Sequence, residues 1–110
     1  MLSSWIKIGN FGVDSGQVLI ADPCYLNSWK GHKFDEDAIK KMQKNKKFEF
    51  SYSGSCARTL LDLPDNRCGA GELGHAIGVV SGTGYGDGEY PVYAKFNDEG
   101  RVMQLKINFD

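Results

Sequence analysis

The stretch from Gly74 to Tyr93, GHAIGVVSGTGYGDGEYPVY, restricts the fold of this chain more than any other part of the sequence. Alternate residues of an extended strand share a face, so one strand over 74–86 would carry ordinary side chains on one face and almost bare backbone on the other. The bare face would consist of Gly74, Ala76, Gly78, Val80, Gly82, Gly84 and Gly86. Because glycine weakens a strand, such a row indicates close approach by a bulky group, either from the protein's own core or from a ligand.

A hairpin turn is predicted directly after this strand. Asp87-Gly88 is a favoured two-residue loop, because both central positions of such turns need positive φ. The hairpin would place Tyr85 opposite Tyr90, and an aromatic pair across two strands stabilises a sheet. Pro91 lacks a backbone donor, so it is expected at an edge or a bulge.

Short apolar runs elsewhere predict further strands. Strands are expected at 5–13, 17–21, 47–53, 56–63, 74–86, 90–97 and 102–109. A single helix is expected to open at Asp35, which is a good N-cap, and the acidic Glu36 and Asp37 suit the positive end of its dipole. The predicted fold is therefore mainly β: an antiparallel β-sandwich or partly open barrel of about seven strands, with one α-helix packed against it.

Length and composition favour one domain over residues 1–110. The 110 residues are 41% hydrophobic and 25% charged, which allows a sizeable buried core. The formal net charge is −1, so no field of the whole molecule attracts nucleic acid or a membrane. The start of the chain has no basic segment followed by an apolar run, and no stretch is long enough to span a bilayer. We therefore expect a cytoplasmic protein.

Three groups of residues carry a resemblance to a family. They are DSGQVLIADPCY at 14–25, SYSGSC at 51–56 and VVSGTGYGDGEYPVY at 79–93, followed by a last strand that starts at NDEGRV. Together they resemble a family of small uncharacterised proteins of bacteria and their phages, with a domain of unknown function. The resemblance covers nearly the whole chain except the helix region and the 64–73 loop. It implies a β-rich cytoplasmic domain, in a setting where some small phage proteins bind host signalling molecules.

The predicted site combines the glycine stretch with aromatic and cationic side chains. Bare backbone amides can form an anion nest, although the spacing here matches neither a Walker loop nor a dinucleotide fingerprint. Aromatic rings could stack on a flat ligand and arginine could pair with phosphate, whereas Asp87 would repel an anion or accept hydrogen bonds from a ribose or base. The predicted ligand-binding residues are Gly82, Thr83, Gly84, Tyr85, Asp87, Tyr90, Trp29 and Arg58.

Three functions are weighed against one another. The first is a non-catalytic binding domain that sequesters a nucleotide-like or other anionic signal. The second is a protein-interaction module that pairs through an exposed sheet edge near Pro91. The third is a cysteine-dependent hydrolase built from Cys24, His75 and Asp22. Catalysis is the less expected outcome, because the carboxylate of Asp22 disfavours a thiolate at Cys24.

No metal and no cofactor are expected. The cysteines and histidines form no close CxxC or HxxxH pair, and the acidic residues do not follow the EF-hand pattern. The lysines of 40–47 could contact nucleic acid, but they are better interpreted as a solvated helix face at the favourable end of its dipole. The expected partner is a small polar or nucleotide-like ligand, with no nucleic-acid polymer and no membrane. Self-association into a homo-oligomer stays open.

The cysteines are predicted to be free thiols. There are three, Cys24, Cys56 and Cys68, an odd number at wide spacings in a chain without a secretion signal. Alkylation of the denatured protein followed by mass spectrometry should therefore label all three. Two protected cysteines in freshly purified protein would reveal a disulfide and contradict the expected cytoplasmic location.

Overall fold

Six strands and two α-helices form the regular structure of the residues that the computed structural model describes, 4–61 and 69–110. They are β1 (Ile6–Val13), β2 (Gln17–Ala21), α1 (Glu36–Asn45), α2 (Tyr52–Thr59), β3 (Ala70–Leu73), β4 (Gly78–Gly82), β5 (Gly88–Phe96) and β6 (Val102–Ile107). A 3-10 helix, Pro23–Ser28, follows β2. The chain divides into two units: residues up to Gly16 with Thr83–Asp110, and Gln17–Gly82.

The first unit is an antiparallel sheet in the order β1-β5-β6. Its core lies on one face of the central strand, where Tyr90 and Ala94 are buried together with Val13 of β1. The Tyr90 ring packs edge-on against Phe109, with ring centroids 5.4 Å apart, and lies 6.2 Å from the ring of Phe11. This face therefore has an aromatic core, to which β1, β5 and the segment after β6 contribute.

The second unit contains the sheet β2-β4-β3 and both α-helices. Helix α1 packs against α2, and α2 packs against β3 and β4. One core cluster joins the helices and consists of Ile39, Cys56 and Ala57. A second cluster consists of Phe50, Leu73 and Val80. Phe48 is half-buried and packs against both clusters, so it ties the helices to the sheet.

Helix α1 starts where the sequence predicts. Asp35 is its N-cap, and its Oδ1 accepts a hydrogen bond from the Ala38 N–H at 3.1 Å. The helix ends at Lys46, which adopts the left-handed conformation with φ 57° and donates its N–H to the Met42 carbonyl. An acidic first turn and a basic end both suit the helix dipole, so local chemistry is enough to specify α1.

The strands predicted at 47–53 and 56–63 are wrong, and residues 62 and 63 lie outside the described residues. Residues 47–51 form no strand, and Ser51, whose Oγ accepts from the Gly54 N–H at 2.9 Å, caps α2. Alternation holds locally, because Phe50 is buried and Glu49 is exposed. Small residues then let α2 approach the preceding segment closely: a Cβ at Gly54 would collide with the backbone of Glu49. Tertiary packing thus overrides the strand pattern.

The single strand predicted over 74–86 is also wrong. Gly74 and Ala76 have φ of 64° and 59°, and the turn that they form separates β3 from β4. Gly84 and Gly86 have φ of 76° and 85° and lie between β4 and β5. A Cβ on either of these two glycines would meet open space. These glycines serve turns with positive φ, so they do not form a bare strand face.

Asp87-Gly88 does not close a hairpin. Strands β4 and β5 belong to different sheets, and Gly88 pairs with Val13 of β1. Tyr85 is therefore not paired with Tyr90 across two strands. The turn residues instead lead the chain from the sheet of one unit into the sheet of the other.

Pro91 does not mark a sheet edge. It lies in the central strand β5 opposite Asn10, and pairing with β6 begins one residue later, at Val92. The expected edge position of Pro91 is therefore wrong, while an interaction surface elsewhere on a sheet edge stays a prediction. The edges of this sheet are β1 and β6.

The predicted fold class is confirmed in its coarse form. The protein is mainly β, and its sheets are antiparallel. The counts of seven strands and one α-helix are wrong, since the described ranges hold six and two in sheets that form no closed barrel. No helix of these ranges is long and apolar enough to cross a membrane. Cys24 and Cys56 are free, and Cys68 lies outside the described residues.

The close approach at Gly54 makes a testable prediction about stability. In a helix interior, alanine is normally favoured over glycine by about 1 kcal/mol. At this position the added Cβ would collide with rigid backbone, so we expect Gly54→Ala to lower the free energy of unfolding by about 1–3 kcal/mol. Chemical denaturation followed by circular dichroism measures the change.

Gly12→Ala is the matched control for this prediction. No atom lies within 4 Å of the Cβ position at Gly12, which is part of β1, and its φ is not in the left-handed region. The control should change the stability by no more than about 0.5 kcal/mol. A Gly54→Ala variant as stable as the wild type would contradict the packing of α2 against Glu49.

Candidate functional site

The loop 83–87 holds several of the predicted ligand-binding residues, and its polar groups bond to one another. Thr83 Oγ1 and Tyr90 Oη both donate to the Gly86 carbonyl, at 2.5 and 2.8 Å. Thr83 is only 1% exposed. The hydroxyls of two predicted ligand-binding residues therefore stabilise the loop.

Of the other residues of this loop, one forms a hydrogen bond within the protein and others are exposed to solvent. Asp87 Oδ1 accepts from the Gly16 N–H at 2.8 Å, and the Gly16 carbonyl accepts from the Thr83 N–H at 3.0 Å. Tyr85 is 71% exposed, and Gly84 is also exposed. A binding role for this loop stays a prediction, but the bare strand face that suggested it is wrong.

The other predicted residues, Gly82, Trp29 and Arg58, belong to the second unit. Trp29 packs edge-on against Phe50, with ring centroids 4.9 Å apart, and its Nε1–H donates to Nδ1 of His32 at 3.3 Å. This contact makes Trp29 part of the protein core.

Arg58 has a more unusual position. Its guanidinium carbon lies 4.9 Å from the centroid of the Phe48 ring, and a Cβ at Gly71 would collide with the guanidinium. Its buried Nε has no hydrogen-bond partner within the described part of the chain. Arg58 therefore supports the Phe48 ring by a cation–π contact and fills the space that Gly71 leaves.

An open groove of about 790 Å³ lies in the second unit, a volume typical of small-molecule sites. We call it the basic groove. It is lined by Lys30, Ala38, Lys41, Met42, Lys46, Lys47, Phe48, Glu49, Gly74 and His75. None of the predicted ligand-binding residues lines it, so sequence reasoning missed this site.

The end of α1 forms one wall of the basic groove. Met42 stabilises this wall, because its carbonyl accepts hydrogen bonds from the N–H groups of Lys46 and Lys47, the latter at 3.3 Å. The Met42 sulfur also accepts from the Glu49 N–H at 3.4 Å. Lys41 precedes Met42 on the helix. Lys41, Lys46, Lys47 and Met42 all line this wall of the groove.

Two backbone hydrogen bonds bring the other wall to this helix end. The Gly74 N–H donates to the Phe48 carbonyl at 2.6 Å, and this contact carries His75 into the lining. The Lys30 N–H donates to the Phe50 carbonyl at 3.0 Å. The segment before α2 is therefore held by a loop and a turn that are distant in sequence.

The basic groove carries a local excess of positive charge. Lys30 Nζ lies 3.2 Å from Glu49 Oε1, which leaves that pair nearly neutral. Lys41, Lys46 and Lys47 are exposed and form no ion pair with the described residues. Lysines at the end of a helix are favoured by its dipole, so part of this pattern stabilises α1.

A second depression, of about 310 Å³, has different chemistry. It is lined by Ile20, Glu72, Ala76, Ile77, Gly78 and Val79. Among the described residues, the one charged group in its lining is Glu72, which already accepts from the Ala76 N–H through Oε2 at 2.5 Å. The lining offers few free polar groups with which to orient a ligand, so the basic groove is the stronger candidate.

The described residues contain no group of three His, Cys, Asp or Glu side chains close enough to hold a metal ion. Asp22 Oδ1 caps the 3-10 helix by accepting from the Cys24 N–H at 2.9 Å. Over the same residues, no hydrogen bond joins the Cys24 thiol to His75. A cysteine hydrolase built from Cys24, His75 and Asp22 stays a prediction.

A mainly β protein with helices beside one sheet and an open basic groove is the class that this structure defines. The chain belongs to the family described as "Protein of unknown function (DUF4241)", whose model matches residues 7–107. This match bears out the expected membership of an uncharacterised domain family. No curated protein and no solved structure matches the chain.

Proposed function

We propose that the protein is a non-catalytic binding domain for a small anionic, nucleotide-like ligand, which lies in the basic groove. The observation that carries the proposal is that Lys41, Lys46 and Lys47 line the same groove as the apolar Met42 and Phe48, and form no ion pair with any carboxylate of the described residues. Cationic groups in a concave site raise the local concentration of anions.

The arrangement goes beyond what the helix dipole explains. The dipole favours Lys46 and Lys47 at the end of α1, but Lys30 and His75 come from other parts of the chain. The like charges of Lys41, Lys46 and Lys47, which share the groove, repel one another. An anion held among them would remove this repulsion, and each lysine would contact it as a mobile point charge.

The floor of the basic groove supports a ligand that also has an apolar or ring-shaped part. Phe48 and Met42 line the groove between the lysines. Arg58 lies over the ring of Phe48 and holds it in place, while a methionine side chain adapts to different shapes. A nucleotide combines the two required features, a flat ring and a charged phosphate group.

The lining favours binding over catalysis. Among the described residues it contains no Ser, Thr, Cys or Asp, the residues that most often act as nucleophiles together with a general base. Glu49 is occupied by Lys30 and by Ser51, whose Oγ donates to Glu49 Oε2 at 3.2 Å. In a bacterial or phage cytoplasm, the setting that the sequence resemblance implies, such a domain would sequester a nucleotide-like signal.

Removal of two groove lysines tests the proposal. Calorimetric titration with ADP at low salt should show binding to the wild type. Lys41→Gln combined with Lys47→Gln should weaken it roughly fivefold to tenfold, since each exposed ion pair contributes about 0.2–1 kcal/mol. Pyrophosphate should bind more weakly than ADP, because it lacks a ring to lie on Phe48.

Lys44→Gln is the matched control. Lys44 lies in the last turn of the same helix but does not line the basic groove. Its replacement removes the same charge and should change the affinity less than twofold. Equal weakening by Lys44→Gln would indicate a general charge effect. Absence of ADP and pyrophosphate binding at millimolar concentration would reject an anion site in the groove.

A further inference from the structure

One face of the β1-β5-β6 sheet in the first unit combines aromatic rings with lysines. Lys7 and Lys106 both pair with Tyr93, one from each side, so the three residues form a row across all three strands. Lys95 lies two residues along β5 and therefore shares this face with Tyr93. We call this surface the basic sheet face. It consists of Trp5, Lys7, Tyr93, Lys95, Gln104 and Lys106.

Two ammonium groups converge on one indole within the basic sheet face. Lys106 Nζ lies 4.6 Å from the centroid of the Trp5 ring, and Lys95 Nζ lies 5.0 Å from it. Lys106 Nζ is also 5.2 Å from the centroid of the Tyr93 ring. The rings hold the two lysine heads by cation–π attraction. No carboxylate of the described ranges pairs with either lysine.

This combination is suited to single-stranded nucleic acid. Proteins that bind single strands on an open sheet use aromatic rings on which bases stack, beside cationic groups that contact the phosphates. The rings of Trp5 and Tyr93 are only half-buried. A phosphate between Lys95 and Lys106 would draw both ammonium groups off the rings and expose ring surface to a base.

We propose that the basic sheet face binds single-stranded nucleic acid. Lys7, Lys95 and Lys106 contact phosphates, and Trp5 and Tyr93 stack on bases. The expectation of no nucleic-acid polymer rests on the net charge of −1, which describes the whole chain and not one face. The proposal is independent of the basic groove, whose residues all belong to the second unit.

Acidic residues limit the proposed site beyond both ends of the row of aromatic and lysine side chains along β5. Glu89 has the same strand parity as Tyr93 and lies opposite Gly12, about 13 Å further along β5 at the usual rise per residue. Glu99 is paired with Arg101, at 3.4 Å between Oε2 and Nε. The favourable surface is therefore short and fits a few nucleotides.

The test is a fluorescence-anisotropy titration with a labelled oligothymidylate of about 12 nucleotides, within the usual range of site sizes. Binding should weaken with salt between about 50 and 200 mM, with a slope of log K against log salt near −2 for three phosphate contacts. Lys106→Gln should weaken binding roughly fivefold to tenfold at the lower salt concentration. It should also reduce the slope by about 0.7.

Two further variants separate this site from a general charge effect and from misfolding. Arg101→Gln removes an exposed cation of the same unit that is not part of the basic sheet face, and it should change the affinity less than twofold. Trp5→Phe keeps an aromatic ring, and it should abolish the change in tryptophan emission that the oligonucleotide causes in the wild type. An emission change that persists in Trp5→Phe would place the nucleic acid elsewhere.

Three results would overturn the proposal. They are absence of oligonucleotide binding at low salt, equal weakening by Arg101→Gln and Lys106→Gln, and binding that is lost only in Lys41→Gln with Lys47→Gln. Competition adds a further criterion. Thymidine monophosphate or poly-glutamate that displaces the probe as well as unlabelled oligothymidylate, at equal charge, would indicate a site for any anion and also reject the proposal.

Discussion

The path of the chain from Phe48 to Ser51 is the constraint on which the second unit and its groove depend. The Phe50 ring is buried beside the sheet, while the Phe48 ring joins the helical and the sheet clusters. Between these side chains the backbone accepts hydrogen bonds from Lys30 and Gly74, and Ser51 then caps α2. The same segment contributes to both core clusters and to both walls of the basic groove. A substitution in it that changes the core packing would therefore also change the groove.

Both units place lysines beside aromatic rings, although the chain as a whole is nearly neutral. In the second unit the lysines surround Phe48 at a helix end, and in the first unit they lie over Trp5 and Tyr93 on a sheet. Local charge, and not net charge, therefore describes what each surface attracts. The helix dipole and the cation–π contacts stabilise the exposed lysines in the absence of a ligand.

Local signals in the sequence were enough for some elements and not for others. The cap at Asp35 and the acidic residues after it specify α1 without help from distant residues. Helix α2 is different, because Ser53, Gly54 and Ser55 have weak helix propensity and the helix depends on its cap and on close approach to Glu49. The residues of the glycine stretch are compatible both with a strand and with a series of turns. The sign of φ at the glycines distinguishes the two structures.

The candidate site was hidden for a related reason. The lysines of 40–47 are visible in the sequence, but a lysine-rich helix end is ordinarily a solvated face. The groove arises from tertiary contacts. The backbone hydrogen bonds from Lys30 to Phe50 and from Gly74 to Phe48 bring a loop and a turn beside this helix end. The hydroxyls of Thr83 and Tyr90 were equally visible, but their shared bond to Gly86 could not be foreseen.

An NMR titration of ¹⁵N-labelled protein with ADP tests most directly whether the ligand binds in the basic groove. The account predicts that the backbone amides of Lys30, 46–49 and 74–75 shift, while those of 84–87 stay unchanged. Shifts centred on 84–87, or none at saturating ADP, would contradict it.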